Sequence, residues 1–252
     1  MALIDVKFYS EALGMQTEAY VVLPQRDTAG EIGITQNTSD KKYPVLYLLH
    51  GLSDDHSIWL RRTSIERYAT EFGICVVMPC GHRSFYTDMK YGLSYFTYIA
   101  KELPARICEF FPVSEKREDT FICGNSMGGY GALKVALRQC DRFSAAAGLS
   151  AVADFSRDDF HDVKKAAFGP EEIIPPEEDL FHLARKNQNN PQKPRIFMGV
   201  GFDDFLYEDN LRLKKCFEET GYDFTYRESE GAHNWAFWDE YVQYVLAWLF
   251  QK

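Results

Sequence analysis

Short runs that are apolar at nearly every position alternate along the chain with longer stretches in which apolar residues recur at helical spacing. The runs occupy residues 43–50 (YPVLYLLH), 74–79 (ICVVMP), 120–124 (TFICG), 143–149 (FSAAAGL), 194–200 (PRIFMGV) and 223–228 (DFTYRE). Continuous apolar character in so short a run is the mark of a parallel strand covered on both faces. The intervening stretches, residues 57–72, 94–110, 128–139, 208–220 and 235–250, predict helices; the last carries Trp235, Trp238, Val242, Val245 and Leu249 on one stripe. At the N-terminus, residues 6–9 and 17–23 flank Gly14 and predict an antiparallel hairpin on the sheet edge. The pattern as a whole predicts an α/β fold, a mostly parallel sheet with helices on both faces.

Residues 154–194 break this rhythm. They are dense in charge and hold five of the ten prolines: Pro170, Pro175, Pro176, Pro191 and Pro194. So short a segment, without disulfides or metal, is too small for a domain of its own. It is either a surface connection or a cap over a site; long excursions inside compact domains are usually functional or disordered, and its place in the chain favours the cap. Residues 1–252 are then one domain carrying that insertion.

Composition narrows the function without naming it. With 28 Lys and Arg against 37 Asp and Glu, the formal charge is −9, which argues against nonspecific binding to nucleic acid or to anionic membranes. The six cysteines lie mostly in apolar runs and form no C-x-x-C pair, so there is no zinc-ribbon or thioredoxin signature. The first residues, MALIDVKFYSEALG, are interrupted by Asp5, Lys7 and Glu11 and do not read as a signal peptide. A reduced, cytoplasmic protein without a membrane span is expected, and no cofactor or metal is implied.

The chemistry concentrates at Gly124-Asn125-Ser126-Met127-Gly128, a G-x-S-x-G pentapeptide. An apolar strand runs into it and a helix-forming stretch runs out, the setting of a nucleophile elbow. A phosphate loop would need G-x-x-x-x-G-K-[ST], and no lysine follows in register. A serine hydroxyl needs a base, and the base an orienting carboxylate, in the chain order Ser, acid, His. After Ser126 come His161 and His182, both within the polar excursion, and His233, in a loop between the last strand and the last helix; His233 is the expected base. The acid is expected at the C-terminal end of the strand at 194–200, where Asp203 and Asp204 stand side by side. Spacing does not choose between them, and Asp154 is a third candidate one element early. Two backbone donors are expected for an oxyanion: the N–H of Met127, and that of Leu52, which follows the turn-permitting Gly51. His50, ahead of the nucleophile on a buried strand, reads as a hydrogen-bonded structural histidine.

The segments YPVLYLLHGLSDDHSIWL, RSFYTDMKYG, ICGNSMGGYGALK, GFDDFLYEDN and GAHNWAFW together resemble the esterase D group of α/β-hydrolases. The likeness is nearest to bacterial tributyrin-esterase and feruloyl-esterase-like members, with mycolyltransferases and S-formylglutathione hydrolase further off. The resemblance implies Ser126 as nucleophile, His233 as base, Leu52 and Met127 as oxyanion donors, and Asp204, the residue before FLY, as acid. GFDD departs from the family's more usual G-x-E-D, leaving two adjacent carboxylates. The implied activity is hydrolysis of small carboxylic esters, with acetyl, butyryl or cinnamoyl (feruloyl) acyl groups, by an enzyme that assembles as a homo-oligomer. Thioester hydrolysis or acyl transfer on the same triad is the rival. A non-catalytic carbohydrate-binding relative would typically have lost a triad member, whereas every role here has a candidate.

Aromatic residues make up 15% of the chain and crowd into residues 85–98 and around Trp59, Trp235 and Trp238. Core packing accounts for most of them. Trp59, Phe85, Tyr86 and Phe205 are the candidates for an acyl-pocket wall, Trp59 foremost.

Overall fold

The computed structural model describes residues 1–25 and 42–251. Eight strands form one sheet: β1 (Ala2–Ser10), β2 (Met15–Leu23), β3 (Val45–Leu49), β4 (Cys75–Pro79), β5 (Thr120–Asn125), β6 (Ala145–Leu149), β7 (Arg195–Gly201) and β8 (Phe224–Ser229). Their order is β1-β2-β4-β3-β5-β6-β7-β8. The hairpin β1–β2 is antiparallel and joins β4 antiparallel; every other pairing is parallel. Gly14 supplies the left-handed turn of the hairpin at φ +65.

The apolar runs are continuous because both faces of the sheet are covered. Val45, Tyr47 and Leu49 of β3 enter one core cluster, and Leu46 and Leu48 the other. The helices are α1 (Ile58–Arg62), α2 (Ile65–Phe72), α3 (Tyr95–Thr97), α4 (Leu103–Phe110), α5 (Met127–Arg138), α6 (His161–Phe168), α7 (Leu180–Lys186), α8 (Tyr207–Glu219) and α9 (Trp235–Leu249). The helix expected over 57–72 is two. Thr63 Oγ1 donates to Trp59 O (2.6 Å) and accepts from Ile65 N–H (3.1 Å), so its side chain closes α1 and opens α2. Between α3 and α4, residues Tyr98–Glu102 form a π-helical segment ahead of Pro104, which has no N–H to continue the α-helical register.

Residues 154–194 carry α6, a 3₁₀ turn (Pro176–Glu178) and α7. The excursion is packed into the body of the protein: Leu180, Leu183 and Ala184 of α7 belong to the same core cluster as α5.

Candidate active site

The expected site residues gather at the C-terminal ends of the strands. Ser126 follows β5 and caps α5 with φ 55 and ψ −118, a conformation that L-residues rarely adopt. The turn holds because its neighbours have no side chains to clash. A Cβ on Gly124 would lie 2.4 Å from Gly128 O, and one on Gly128 would lie 2.5 Å from Leu49 O. The Ser126 N–H donates to Leu149 O (2.9 Å), tying the turn to the end of β6.

His233 sits in the loop between β8 and α9. The Ser126 hydroxyl donates to its Nε2 over 3.0 Å. Its Nδ1 lies 3.0 and 2.9 Å from the two carboxylate oxygens of Asp204. A carboxylate only accepts, so the proton is on Nδ1 and Nε2 is free to accept from the serine. Asp204, at 4% exposure, is the carboxylate that meets the histidine. Asp203 is exposed, its N–H bound to Gly231 O (2.9 Å). Asp154 is engaged elsewhere, by Arg212 (2.8 Å) and Ser156. His161 pairs with Glu172 (2.7 Å), and His182 is exposed on α7.

Burial pushes the Asp204 carboxyl upward. Hydrogen bonds and charge from His233, a hydrogen bond from Ser150 and the Leu206 N–H (2.9 Å) outweigh it, and the group titrates below the usual carboxylate range. Ser150 is fully buried, and its hydroxyl in turn accepts from Trp238 Nε1–H (3.1 Å). The path Asp204–His233–Ser126 is continuous, with Ser150 and Trp238 behind the carboxylate. The Trp238 ring also stands edge-on to the imidazole (4.9 Å, 88°). Sequence reasoning passed over Ser150; its signal was a hydroxyl at the C-terminal end of a strand next to the one that leads into Ser126.

Leu52 lies in the loop after β3, next to Gly51, which is the residue that approaches the serine turn: a Cβ on Gly51 would fall 3.8 Å from Ser126 Cβ. Met127 is the buried first residue of α5. His50 fixes the loop. Its Nε2 accepts from Gly81 N–H (2.8 Å), so its Nδ1–H donates to Gly51 O (2.7 Å). Burial lowers its pKa to about 4, which keeps the ring neutral in this structural role.

The expectation for Trp59 is corrected. Its side chain has no exposed surface, its Nε1–H donates to Leu49 O (3.0 Å), and its ring packs edge-on against Trp235 (4.9 Å). Phe85 and Tyr86 are likewise fully buried, and all three are core. Phe205, 60% exposed and 4.5 Å from the His233 ring, is the one of the four candidate wall residues that faces solvent at the site.

Residues 10–247 match the family described as "Putative esterase". The chain belongs to this family. It is 30% identical to an acetyl esterase of Caldicellulosiruptor saccharolyticus, over 99% of this chain and 98% of that one. Among solved structures, the fluorophosphonate-binding serine hydrolase F of Staphylococcus aureus is 35% identical with a TM-score of 0.87, covering 100% of this chain and 99% of that one. The S-formylglutathione hydrolase of the same organism is also 35% identical, with a TM-score of 0.86 and 99% of both chains covered, a nearer likeness than the motifs implied. The esterase has the α/β-hydrolase fold and is a carboxylic ester hydrolase. Among the described residues, no helix of the esterase is long and apolar enough to cross a membrane.

Proposed function

We propose that the esterase hydrolyses small carboxylic esters through an acyl-enzyme on Ser126. The observation that carries this reading is the continuous hydrogen-bond path from Ser126 through His233 to Asp204. Ser126 Oγ attacks the ester carbonyl carbon as its proton passes to His233 Nε2. Asp204 holds the imidazole by Nδ1–H and stabilises the imidazolium. The carbonyl oxygen becomes an oxyanion facing the N–H groups of Leu52 and Met127. The C–O bond to the alcohol breaks as His233 returns the proton to the leaving oxygen, and the acyl group remains on Ser126. Water then attacks the acyl carbon with His233 as base, releasing the carboxylic acid and regenerating the hydroxyl.

Short acyl groups, acetyl and butyryl, are the favoured substrates, with aromatic (cinnamoyl or feruloyl) acyl groups beside them. Support comes from the acetyl esterase relative and from the exposed Phe205 ring beside His233, an apolar surface for an acyl chain or ring. The six cysteines are free thiols, which supports a reducing, cytoplasmic setting. A second reading, thioester hydrolysis on the same residues, is favoured by the 35% identity to an S-formylglutathione hydrolase. The test is a panel of acetyl, butyryl, feruloyl and thioester substrates on purified protein, run beside Ser126→Ala. That variant should lose kcat by a factor on the order of 10⁶. Retention of most of the activity would refute the assignment of Ser126; turnover of the thioester alone would exchange the first reading for the second.

A further inference from the structure

Three donors that the reaction does not use converge where β2 pairs with the end of β4. Glu18 lies on β2, Cys80 directly follows β4, and Cys80 N–H donates to Glu18 O (3.1 Å), which sets the two side by side. His56 arrives from the loop that leaves the oxyanion turn. Cys80 Sγ, a His56 ring nitrogen and a Glu18 carboxylate oxygen all lie within 4.8 Å of one another.

The imidazole is the telling member. Its side chain is only 10% exposed, yet Nδ1 has no hydrogen-bond partner, an arrangement that proteins avoid unless something else fills the place. Glu18 Oε1 stands 3.4 Å from it, out of hydrogen-bond alignment. Two ligands bonded to zinc at about 2.0–2.1 Å, at a tetrahedral angle, stand about 3.4 Å apart. The His56–Glu18 pair is therefore already spaced as one edge of such a site. The ring is held in place against Tyr20 (4.8 Å between centroids). Lys7 engages the other carboxylate oxygen of Glu18 (2.8 Å) and leaves Oε1 to face the histidine. His82 is exposed, with its nitrogens 3.7 Å from Cys80 Sγ, next to the cluster and outside it.

We propose that Glu18, His56 and Cys80 form a binding site for one divalent cation of the zinc type, with a fourth position open to solvent. A thiolate, an imidazole and a carboxylate suit a borderline-soft ion; calcium and magnesium prefer oxygen throughout. Binding replaces the Cys80 S–H bond by a sulfur–metal bond, and the thiol proton leaves to solvent. The ion would join the loop carrying Gly51 and Leu52 to the loop after β4, where Gly81 N–H already holds His50.

Cobalt(II) is the probe, titrated into the whole protein after dialysis against a chelator. Wild-type protein should develop a thiolate-to-cobalt absorption band that saturates at one equivalent and is displaced by added zinc. Cys80→Ser should abolish the band. His56→Phe keeps a ring against Tyr20 but removes the nitrogen, and should weaken binding by more than about 100-fold, beyond what loss of an outer-shell partner costs. Cys108→Ser and Ser126→Ala should bind as wild type does. Absence of the band in wild type, or wild-type affinity in either Cys80→Ser or His56→Phe, overturns the proposal. Near-UV circular dichroism confirms that each variant is folded; should His56→Phe unfold, Glu18→Gln takes its place under the same criterion. The readout is absorbance, so a failed esterase assignment leaves this test intact.

Discussion

Lys134 and Glu178 form a buried ion pair that can be broken from one side. Lys134, on α5, has no exposed side-chain surface, and Glu178, in the excursion before α7, only 5%. The ammonium donates to Glu178 Oε2 (2.6 Å), Thr87 Oγ1 (2.7 Å) and Phe85 O (3.0 Å), so all three of its protons are used. Arg138 donates to the other carboxylate oxygen (2.8 Å) and is itself 24% exposed. Glu178→Gln keeps the shape and one acceptor oxygen but strands the charge on Lys134; Arg138 turns to water. Breaking a buried pair from one side costs about 3–5 kcal/mol. The retained amide oxygen puts this variant near the lower figure, about 3 kcal/mol. For a chain of this size that is a fall in Tm of about 6–12 °C, taking about 2–4 °C per kcal/mol. Urea unfolding and calorimetry measure it directly. The double change Lys134→Met with Glu178→Leu should recover much of the loss, because no charge is then left buried.

The same pair predicts an acid dependence. Burial pushes the Glu178 carboxyl up, but the charge and hydrogen bond of Lys134, with Thr87 and Arg138, outweigh it and hold it below the ordinary value of 4.5. A depressed folded-state pKa contributes stability above the unfolded value and loses it as the pH falls through the folded one. Wild type should therefore lose stability on acidification below about 4.5, and Glu178→Gln should lose less over that range. A Glu178→Gln variant within about 0.5 kcal/mol of wild type at neutral pH, the scatter of ordinary surface changes, would refute the reasoning.

Asp204→Asn should cost about 10⁴ in kcat, because the amide favours the wrong imidazole tautomer; Asp203→Asn, away from the imidazole, should leave kcat within a few-fold of wild type, and steady-state kinetics on one acetyl ester compares them. Ser150→Ala removes a hydrogen bond to an ionised carboxylate, worth about 1.5–3 kcal/mol, so kcat/KM should fall about tenfold or more while the urea midpoint moves modestly. Gly128→Ala would put a methyl group 2.5 Å from Leu49 O and 2.7 Å from His50 O. It should destabilise by about 1–3 kcal/mol and lower turnover, seen in paired urea and rate measurements.

Much of the scaffold could be read from the residues because apolar runs and helical spacing of apolar residues pointed to the same alternation of strands and helices. Apolar runs marked the strands to within a few residues, and β5 running through GNSMG into α5 located Ser126. The choice between Asp203 and Asp204 lay beyond spacing, since both leave the same strand. Only folding separates a buried carboxyl under His233 from an exposed one whose backbone pairs with Gly231. Trp59 misled for a related reason. An aromatic close in sequence to the turn at Gly51 reads equally as wall or core, and its bond to Leu49 O decides for core. Glu18, His56 and Cys80 come from three separated segments, so no ligand spacing exists for a sequence to display.

At the centre of the molecule the loop after β3 and the first turn of α5 meet main chain to main chain. The carbonyls of Leu49 and His50 press on Gly128 where even a methyl group has no room. The approach of the end of β3 to the serine turn is thus a contact between peptide groups, so long as residue 128 stays glycine. Phe205 stands outside this contact, with 60% of its surface exposed. On the proposed reaction, a substitution at the rim can then alter acyl preference without moving the backbone around Ser126, so specificity and rate rest on separate parts of this chain.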